Sequence, residues 1–233
     1  MTPAATPASS PQDPETAPAC VVFDVGEALI DETRVWSVWA EIVGVSPLTF
    51  AAVLGAAIVQ GEPADAVFGH LAPNLEWREF EPEHERRYGG FREEDLYPDV
   101  RGCLEELTAA GFDVVIAGNQ PARRQAQLAA LHLPHRVLVM SEELGVAKPD
   151  PAFFDRVQER AGLSDASDLL YVGDRIDNDV LVAAARGWRT CWLRRGPWGQ
   201  LQDLPDDVEA PDLVLEGLGE LPTLLRTWRG GTT

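Results

Sequence analysis

Hydrophobic residues fall in short unbroken runs along most of this chain, each cut off sharply by a polar or small residue. "CVVFD" (20–24), "DVVIA" (113–117), "RVLVM" (136–140), "DLLYV" (168–172) and "TCWL" (190–193) are such runs, and "DLVL" (212–215) is a shorter one. They are rich in β-branched residues and bounded by Gly, Asn or Asp, which predicts strands. Because apolar residues do not alternate with polar ones, both faces of each strand must be covered. Between the runs, apolar positions recur at helical spacing in 98–111, 121–132, 150–162, 178–187 and 217–228. The first of these segments has Pro98 near its start and Gly111 as its stop, the asymmetry of a helix. Strand–helix alternation of this kind predicts an α/β fold, a Rossmann-like parallel sheet with helices on both faces.

Residues 33–96 break that rhythm. "TRVWSVWAEIVG", "PLTFAAVLGAAIVQG", "PADAVFGHL" and "EHERRYGG" read as short helices, with no convincing strand among them. They predict a small helical domain inserted after the first strand. Its core would be Ile42, Val43, Leu48, Phe50, Val53, Leu54, Ile58 and Val59. The sheet domain is then residues 19–32 and 97–233, and the insertion is 33–96. Residues 1–18 are Pro-, Ala-, Ser- and Thr-rich, cannot build a core, and read as a disordered tail. No internal repeat is visible.

Composition changes the picture in several respects. The formal net charge of -19 argues against nucleic acid or an anionic membrane surface as partner, and keeps the chain soluble. Cys20, Cys103 and Cys191 are an odd, scattered set without a CxxC pair, which argues against zinc and against a disulfide framework. With no apolar run long enough for a bilayer and no secretory signal pattern at the start, a reducing, cytoplasmic setting is expected. Nothing in the composition sets the oligomeric state. Finally, Lys plus Arg is 19, yet Lys148 is the only Lys. A lone Lys in an Arg-using chain points to a position that needs a compact ammonium rather than a planar fork.

In an open parallel sheet, ligands bind where the strands end at their carboxyl side. The residues that close the predicted strands are Asp24, then Gly118 and Asn119, then Lys148, then Asp174, Asp177 and Asp179. Each alone has an ordinary reading. Asp24 could cap a helix, Lys148 could sit in a turn, Asn119 could be a loop residue, and the aspartates could be turn or first-turn acids. Four such features at four successive strand ends ask for a common cause. Clustered carboxylates repel one another unless a cation sits among them, and Asp oxygens with backbone carbonyls suit Mg²⁺. A carboxylate nucleophile, a metal and a fixed ammonium are the equipment of phosphoryl transfer.

"FDVGEALID", "IAGN", "GVAKPDPAFF" and "VGDRIDNDVLVAAARGW" resemble the four ordered motifs of the haloacid dehalogenase (HAD) superfamily. The resemblance covers 20–32 and about 97–230, and the helical insertion stands where that family carries a cap. It implies a HAD-like core and a Mg²⁺-dependent phosphatase acting on a small phosphate ester through a phospho-aspartate. By resemblance, Asp24 is nucleophile and metal ligand, the Gly26 carbonyl is a second ligand, and Asp174 binds Mg²⁺ directly. Asp179 supports the metal or its waters, Asn119 and Gly118 hold the substrate phosphate, and Lys148 orders both nucleophile and phosphate. Asp177 is an extra acid with no assigned part.

Two positions depart from the pattern. Family phosphatases usually carry an Asp two residues after the nucleophile, acting as acid and then base, where this chain has Gly26. They carry Ser or Thr where this chain has Gly118. General acid–base catalysis is worth roughly 10²–10⁴-fold. Its loss predicts a preference for good leaving groups and slow hydrolysis of the phospho-enzyme. Glu27 is the nearest carboxyl in sequence that could stand in. Two further readings stay open on these residues. One is 2-haloacid dehalogenation, which suits the missing Asp but not the acidic cluster. The other is a catalytically weakened binding protein on a HAD scaffold. The insertion offers Arg34, Trp36, Trp39, His70, Trp77, His84, Arg86 and Arg87 for substrate contact, though core or surface duty suits each. "LRRGPWG" (193–199), after the fifth strand, could reach the site through Arg194 or Arg195, but reads better as a surface loop.

Overall fold

A computed structural model describes residues 17–230, so the expected tail over 1–18 falls outside the described residues except at its last two positions. Strands form at the six apolar runs: β1 (Cys20–Phe23), β2 (Asp113–Gly118), β3 (Val137–Met140), β4 (Leu169–Gly173), β5 (Arg189–Leu193) and β6 (Leu213–Leu215). They make one sheet in the order β3-β2-β1-β4-β5-β6, with every pair parallel. Phe23 pairs with Ile116 on one side and Val172 on the other, so β1, β2 and β4 end within two residues of one another. The strand order reverses beside β1. A crevice therefore opens at the ends of β1, β2 and β4, the switch point where ligands bind in such sheets.

The helices follow in chain order. Four lie in the insertion: α1 (Thr33–Val43), α2 (Pro47–Val59), α3 (Ala66–Leu71) and α4 (Glu81–Tyr88). Seven accompany the sheet: α5 (Val100–Ala109), α6 (Ala122–Ala130), α7 (Ser141–Leu144), α8 (Pro151–Ala161), α9 (Leu181–Ala185), α10 (Gly196–Leu201) and α11 (Leu221–Gly230). Their ends are set by local chemistry. At α8, the Asp150 carboxylate accepts the Ala152 N–H at 2.9 Å, Pro151 opens the first turn, and Gly162 at φ 67° closes the last.

Successive residues of β1 point to opposite faces. Val21 and Phe23 join a cluster with Leu104 and Leu107 of α5 and Leu221 and Leu225 of α11. Cys20 and Val22 join another with Phe153, Phe154 and Val157 of α8. Each of these large side chains contributes about 1.5–3 kcal/mol by leaving water. The strands are thus rigid on both sides, which fixes where their last residues project.

The insertion has its own cluster, built from Trp39, Phe50, Leu54, Ile58, Val67 and Phe68. Two of its expected core residues are not in it: Leu48 is 81% exposed and Val59 is 67% exposed. α2 is apolar nearly all round, so periodicity could not choose its buried face. Phe50, Leu54 and Ile58 took the inward stripe at i, i+4 and i+8, and Leu48 and Val59 lie on the opposite side. A further member of the cluster is Trp198 of α10, from the segment read as a surface loop. An antiparallel bridge between Ile30 and Leu96 ties the two chain crossings into the insertion together. Among the described residues, no single helix is long and apolar enough to cross a membrane.

Candidate active site

β1 ends at Phe23, and Asp24 follows it into the crevice with 7% exposure. Lys148 reaches the same point from the loop before α8. Its ammonium lies 2.8 Å from Asp24 Oδ1 and 2.5 Å from Asp179 Oδ1, and donates to the Tyr171 hydroxyl at 2.9 Å. An ammonium has three N–H groups, and all three are used here. Burial pulls the Lys148 pKa down, but Asp179 and Asp24 more than offset it and hold it well above its usual value. The ammonium is charged at any working pH.

Asn119 explains how Lys148 is held. Its Oδ1 accepts the Lys148 backbone N–H at 2.8 Å, and its Nδ2 donates to the Lys148 carbonyl at 2.8 Å. The side chain assigned to phosphate by resemblance is thus engaged on the backbone of the lysine loop. Gly118, one residue earlier, lets β2 approach β1 closely. A Cβ there would lie 2.8 Å from Asp24 Oδ1 and 2.9 Å from Val25 Cγ2. With Asp24 in this rotamer, Ser or Thr does not fit at position 118.

β4 delivers the acids. Asp174 follows its last residue with 2% exposure, and a π-helical turn over Ile176–Val180 brings Asp179 back to the strand end with none. Asp179 Oδ2 accepts the Arg175 N–H at 3.1 Å. It fits because residue 173 is Gly: a Cβ there would meet Asp179 Oδ2 at 2.4 Å. Asp177 points out to solvent, where it pairs with Arg175 and Gln202.

Asp24, Asp174 and Asp179 each offer an oxygen, and these oxygens lie within 4.8 Å of one another. Burial pushes the Asp174 carboxyl well above its ordinary range, and the charges of Asp179 and Asp24 push the same way. Asp179 is pushed up to about 6, again by burial first, with Lys148 opposing. Asp174 Oδ2 is buried and accepts no hydrogen bond. Three carboxylates against one ammonium, all-oxygen donors and an orphaned acceptor fit a hard divalent cation such as Mg²⁺. The Gly26 carbonyl, a ligand by resemblance, accepts the Ala28 N–H at 2.6 Å and would have to share its oxygen.

Asp24, Gly26, Asn119, Lys148 and Asp174 line a cavity of about 200 Å³ that also includes Glu27, Glu32, Trp36 and Trp198. A larger hollow of about 480 Å³ beside α6 and β3 holds none of them and has no comparable chemistry. The family model of the haloacid dehalogenase-like hydrolases matches residues 18–187. The chain belongs to that family. A glyceraldehyde 3-phosphate phosphatase of Methanopyrus kandleri is 34% identical over 134 residues, 56% of this chain and 56% of that protein. The chain thus spans about half the length of the curated relatives it matches. A HAD-hydrolase of Bacillus subtilis bound to magnesium shares the fold with a TM-score of 0.71, over 90% of this chain and 99% of that one, at 20% identity. The L-2-haloacid dehalogenase of Xanthobacter autotrophicus does so with a TM-score of 0.69, over 90% and 98%, also at 20% identity.

Against the HAD pattern, the two glycines stand out, and the carboxyls around Gly26 need separate accounts. Glu27 adopts φ 52°, a strained value for a residue with a side chain. Its carboxylate accepts the Tyr97 hydroxyl and, at 3.1 Å, the Glu32 N–H. Burial pushes its pKa up to about 6, and the Tyr97 hydrogen bond holds it from going higher. Glu27 thus fastens the loop after β1. Arg195 helps from the other side: it is buried, stacks on Tyr97 at 4.1 Å, pairs with Asp99 and donates to the Ala28 carbonyl at 3.1 Å. Glu32, missed in the sequence, lies in the cavity wall, where burial and the charges of Glu27 and Asp24 push its pKa up to about 8. Tyr171 was also missed; its signal was a polar tip in an otherwise apolar strand. Of the insertion candidates, Trp36 lines the cavity, Trp39 is core, and Arg34 is held by Asp95 and the Tyr88 and Gly90 carbonyls.

Proposed function

We propose that this chain is a Mg²⁺-dependent phosphatase that hydrolyses a small phosphorylated metabolite through a phospho-aspartate at Asp24. The observation that carries this reading is the buried group itself: Asp24 2.8 Å from a fixed ammonium, beside an Asp174 oxygen with no partner. Asp24, Asp174 and the Gly26 carbonyl would hold the metal. When bound, Mg²⁺ neutralises charge shared by the phosphate and the carboxylates, so that an anion can attack an anion.

The chain's own residues then divide the work. Lys148 holds Asp24 in one rotamer and leaves its other oxygen to attack phosphorus in line with the leaving group. Asp179 acts through Lys148 and the Arg175 N–H rather than on the substrate. Asn119 acts through the backbone of Lys148, and phosphate contact on that side falls to backbone N–H groups at the end of β2. Residues 33–96 serve as the cap that selects the substrate, with Trp36 and Trp198 over the cavity. A cavity of about 200 Å³ suits a small metabolite. The three buried free cysteines fit a reducing compartment, and we place the protein in the cytoplasm. The preference for good leaving groups expected from Gly26 belongs to this reading if the space beside Gly26 is empty.

The test is phosphate release from aryl, glycosyl-1-, acyl and alkyl phosphates, with and without Mg²⁺, by the wild type and by Asp24→Asn. Mg²⁺-dependent release that the substitution abolishes is the expected result. Metal-independent turnover of 2-chloropropionate would instead make the chain a dehalogenase. Tight Mg²⁺ binding without turnover of either class would make it a binding protein.

A further inference from the structure

The space beside Gly26 is not empty. A Cβ built on Gly26 would lie 2.5 Å from Glu32 Oε1, 3.0 Å from Glu32 Cδ and 3.5 Å from Glu32 Oε2. The carboxyl of Glu32 therefore occupies the volume in which any side chain at position 26 would begin. It comes from the start of α1, eight residues after Asp24. Its backbone is held by the Glu32 N–H, which donates to Glu27 Oε1 at 3.1 Å. Glu27, the other carboxyl nearby, already accepts from Tyr97 and from Glu32 and is buried against Gly196. Glu32 stands in the same cavity wall as Asp24, Lys148 and Asp174.

We propose that Glu32 supplies, from the N-cap position of α1, the carboxyl that Gly26 lacks, and that it exchanges protons with the leaving group and with water in the phosphatase reaction. The inference rests on the phosphatase reading above. In the first step an Asp24 oxygen bonds to phosphorus, the bond to the leaving oxygen breaks, and the Glu32 proton passes to that oxygen. In the second step water bonds to phosphorus, its proton passes to Glu32, and the bond from Asp24 breaks. The sum is phosphate ester plus water giving alcohol plus phosphate, with both side chains restored. Gly26 and Glu32 are then one arrangement: a longer side chain from a later position needs a residue without one at position 26.

The experiment compares an aryl phosphate, whose leaving group needs no proton, with an alkyl phosphate, whose leaving group does. Glu32→Gln should lower kcat/KM for the alkyl ester by roughly 10²–10⁴-fold and kcat/KM for the aryl ester, which reports only the first step, by no more than a few-fold, while kcat falls on both because the second step is common to them. Gly26→Asp alone should be poorly active, because its Cβ meets Glu32. Gly26→Asp combined with Glu32→Ala should recover alkyl-ester turnover well above Glu32→Gln. Circular dichroism and Mg²⁺ titration of each variant show whether it is folded with its metal site intact. An equal loss of kcat/KM on both esters in a folded Glu32→Gln, or no loss on either, would overturn the inference. Failure of the phosphatase reading is a different result: no ester would be hydrolysed by the wild type in a manner that Asp24→Asn abolishes.

Discussion

Lys148 shows how much one residue can determine. Its three N–H groups meet three separate oxygens, on Asp24, Asp179 and Tyr171, converging on a point with 1% side-chain exposure. An Arg delivers its donors in a flat fork and cannot satisfy three oxygens arranged around a point. That accounts for the only Lys in a chain that otherwise uses Arg. Lys148→Met should destabilise the metal-free protein by about 3–5 kcal/mol, because two buried carboxylates lose their counter-charge. Lys148→Arg should restore little of the stability and none of the phosphatase activity. Urea unfolding with the phosphate-release assay checks both, and a stable, active Lys148→Arg would show that the ammonium's shape is immaterial. Lys148 was legible because its rarity and its motif agreed. Glu32 was not, because nothing between positions 26 and 32 in sequence says that the chain turns back on itself. That turn is made by backbone bonds, such as Leu29 and Ile30 N–H to the Val25 carbonyl at 3.0 and 2.9 Å.

Among the elements, the strands were plain in the sequence because a parallel strand buried on both faces reads as a nearly continuous apolar run. The insertion was harder. α2 gave no face, and Trp198, which joins the insertion's core from α10, arrives from a distant part of the chain. α1 and α4 are joined by a pair that the pattern did not predict. His84 stacks on Trp39 with ring centroids 4.4 Å apart, and its Nε2–H donates to the Val35 carbonyl at 3.0 Å. Burial lowers its pKa; the Val35 bond and Glu85 oppose this, while Arg124 and Arg123 add to it. A histidine whose folded pKa lies below its unfolded value, about 6.5, binds protons better when unfolded. Its contribution to stability is present above that value and is lost as pH falls below it toward the folded pKa. The unfolding free energy of the wild type minus that of His84→Gln should therefore shrink between pH 7.5 and pH 5.5. The subtraction cancels the carboxylates common to both proteins. A difference that stays constant would mean that His84 titrates alike in both states.

Over the whole molecule, a formal charge of -19 draws any cation weakly to the surface, so a specific metal site must be distinguished from that atmosphere. Asp174 makes the distinction available. Its carboxyl is raised well above the usual range by burial and by its acidic neighbours. A carboxyl raised on folding holds its proton better in the folded state, so the metal-free protein has this contribution in full below the unfolded value, about 3.9. That contribution is lost as pH rises through the folded pKa. A cation that replaces the proton reverses the trend, so Mg²⁺ should stabilise more at pH 8 than at pH 6. At a hundred times its Kd, Mg²⁺ adds about 2.7 kcal/mol, and a chain of this size gains about 2–4 °C in Tm per kcal/mol. A rise of about 5–10 °C is expected for the wild type at pH 8, measured against NaCl of equal ionic strength. Asp174→Asn removes one charge of the excess but the whole of the orphaned acceptor. It should melt higher than the wild type in EDTA and show no Mg²⁺ response beyond the salt control. An Asp174→Asn protein that still rises with Mg²⁺ would place the cation elsewhere on the acidic surface and would remove the metal from the proposed chemistry.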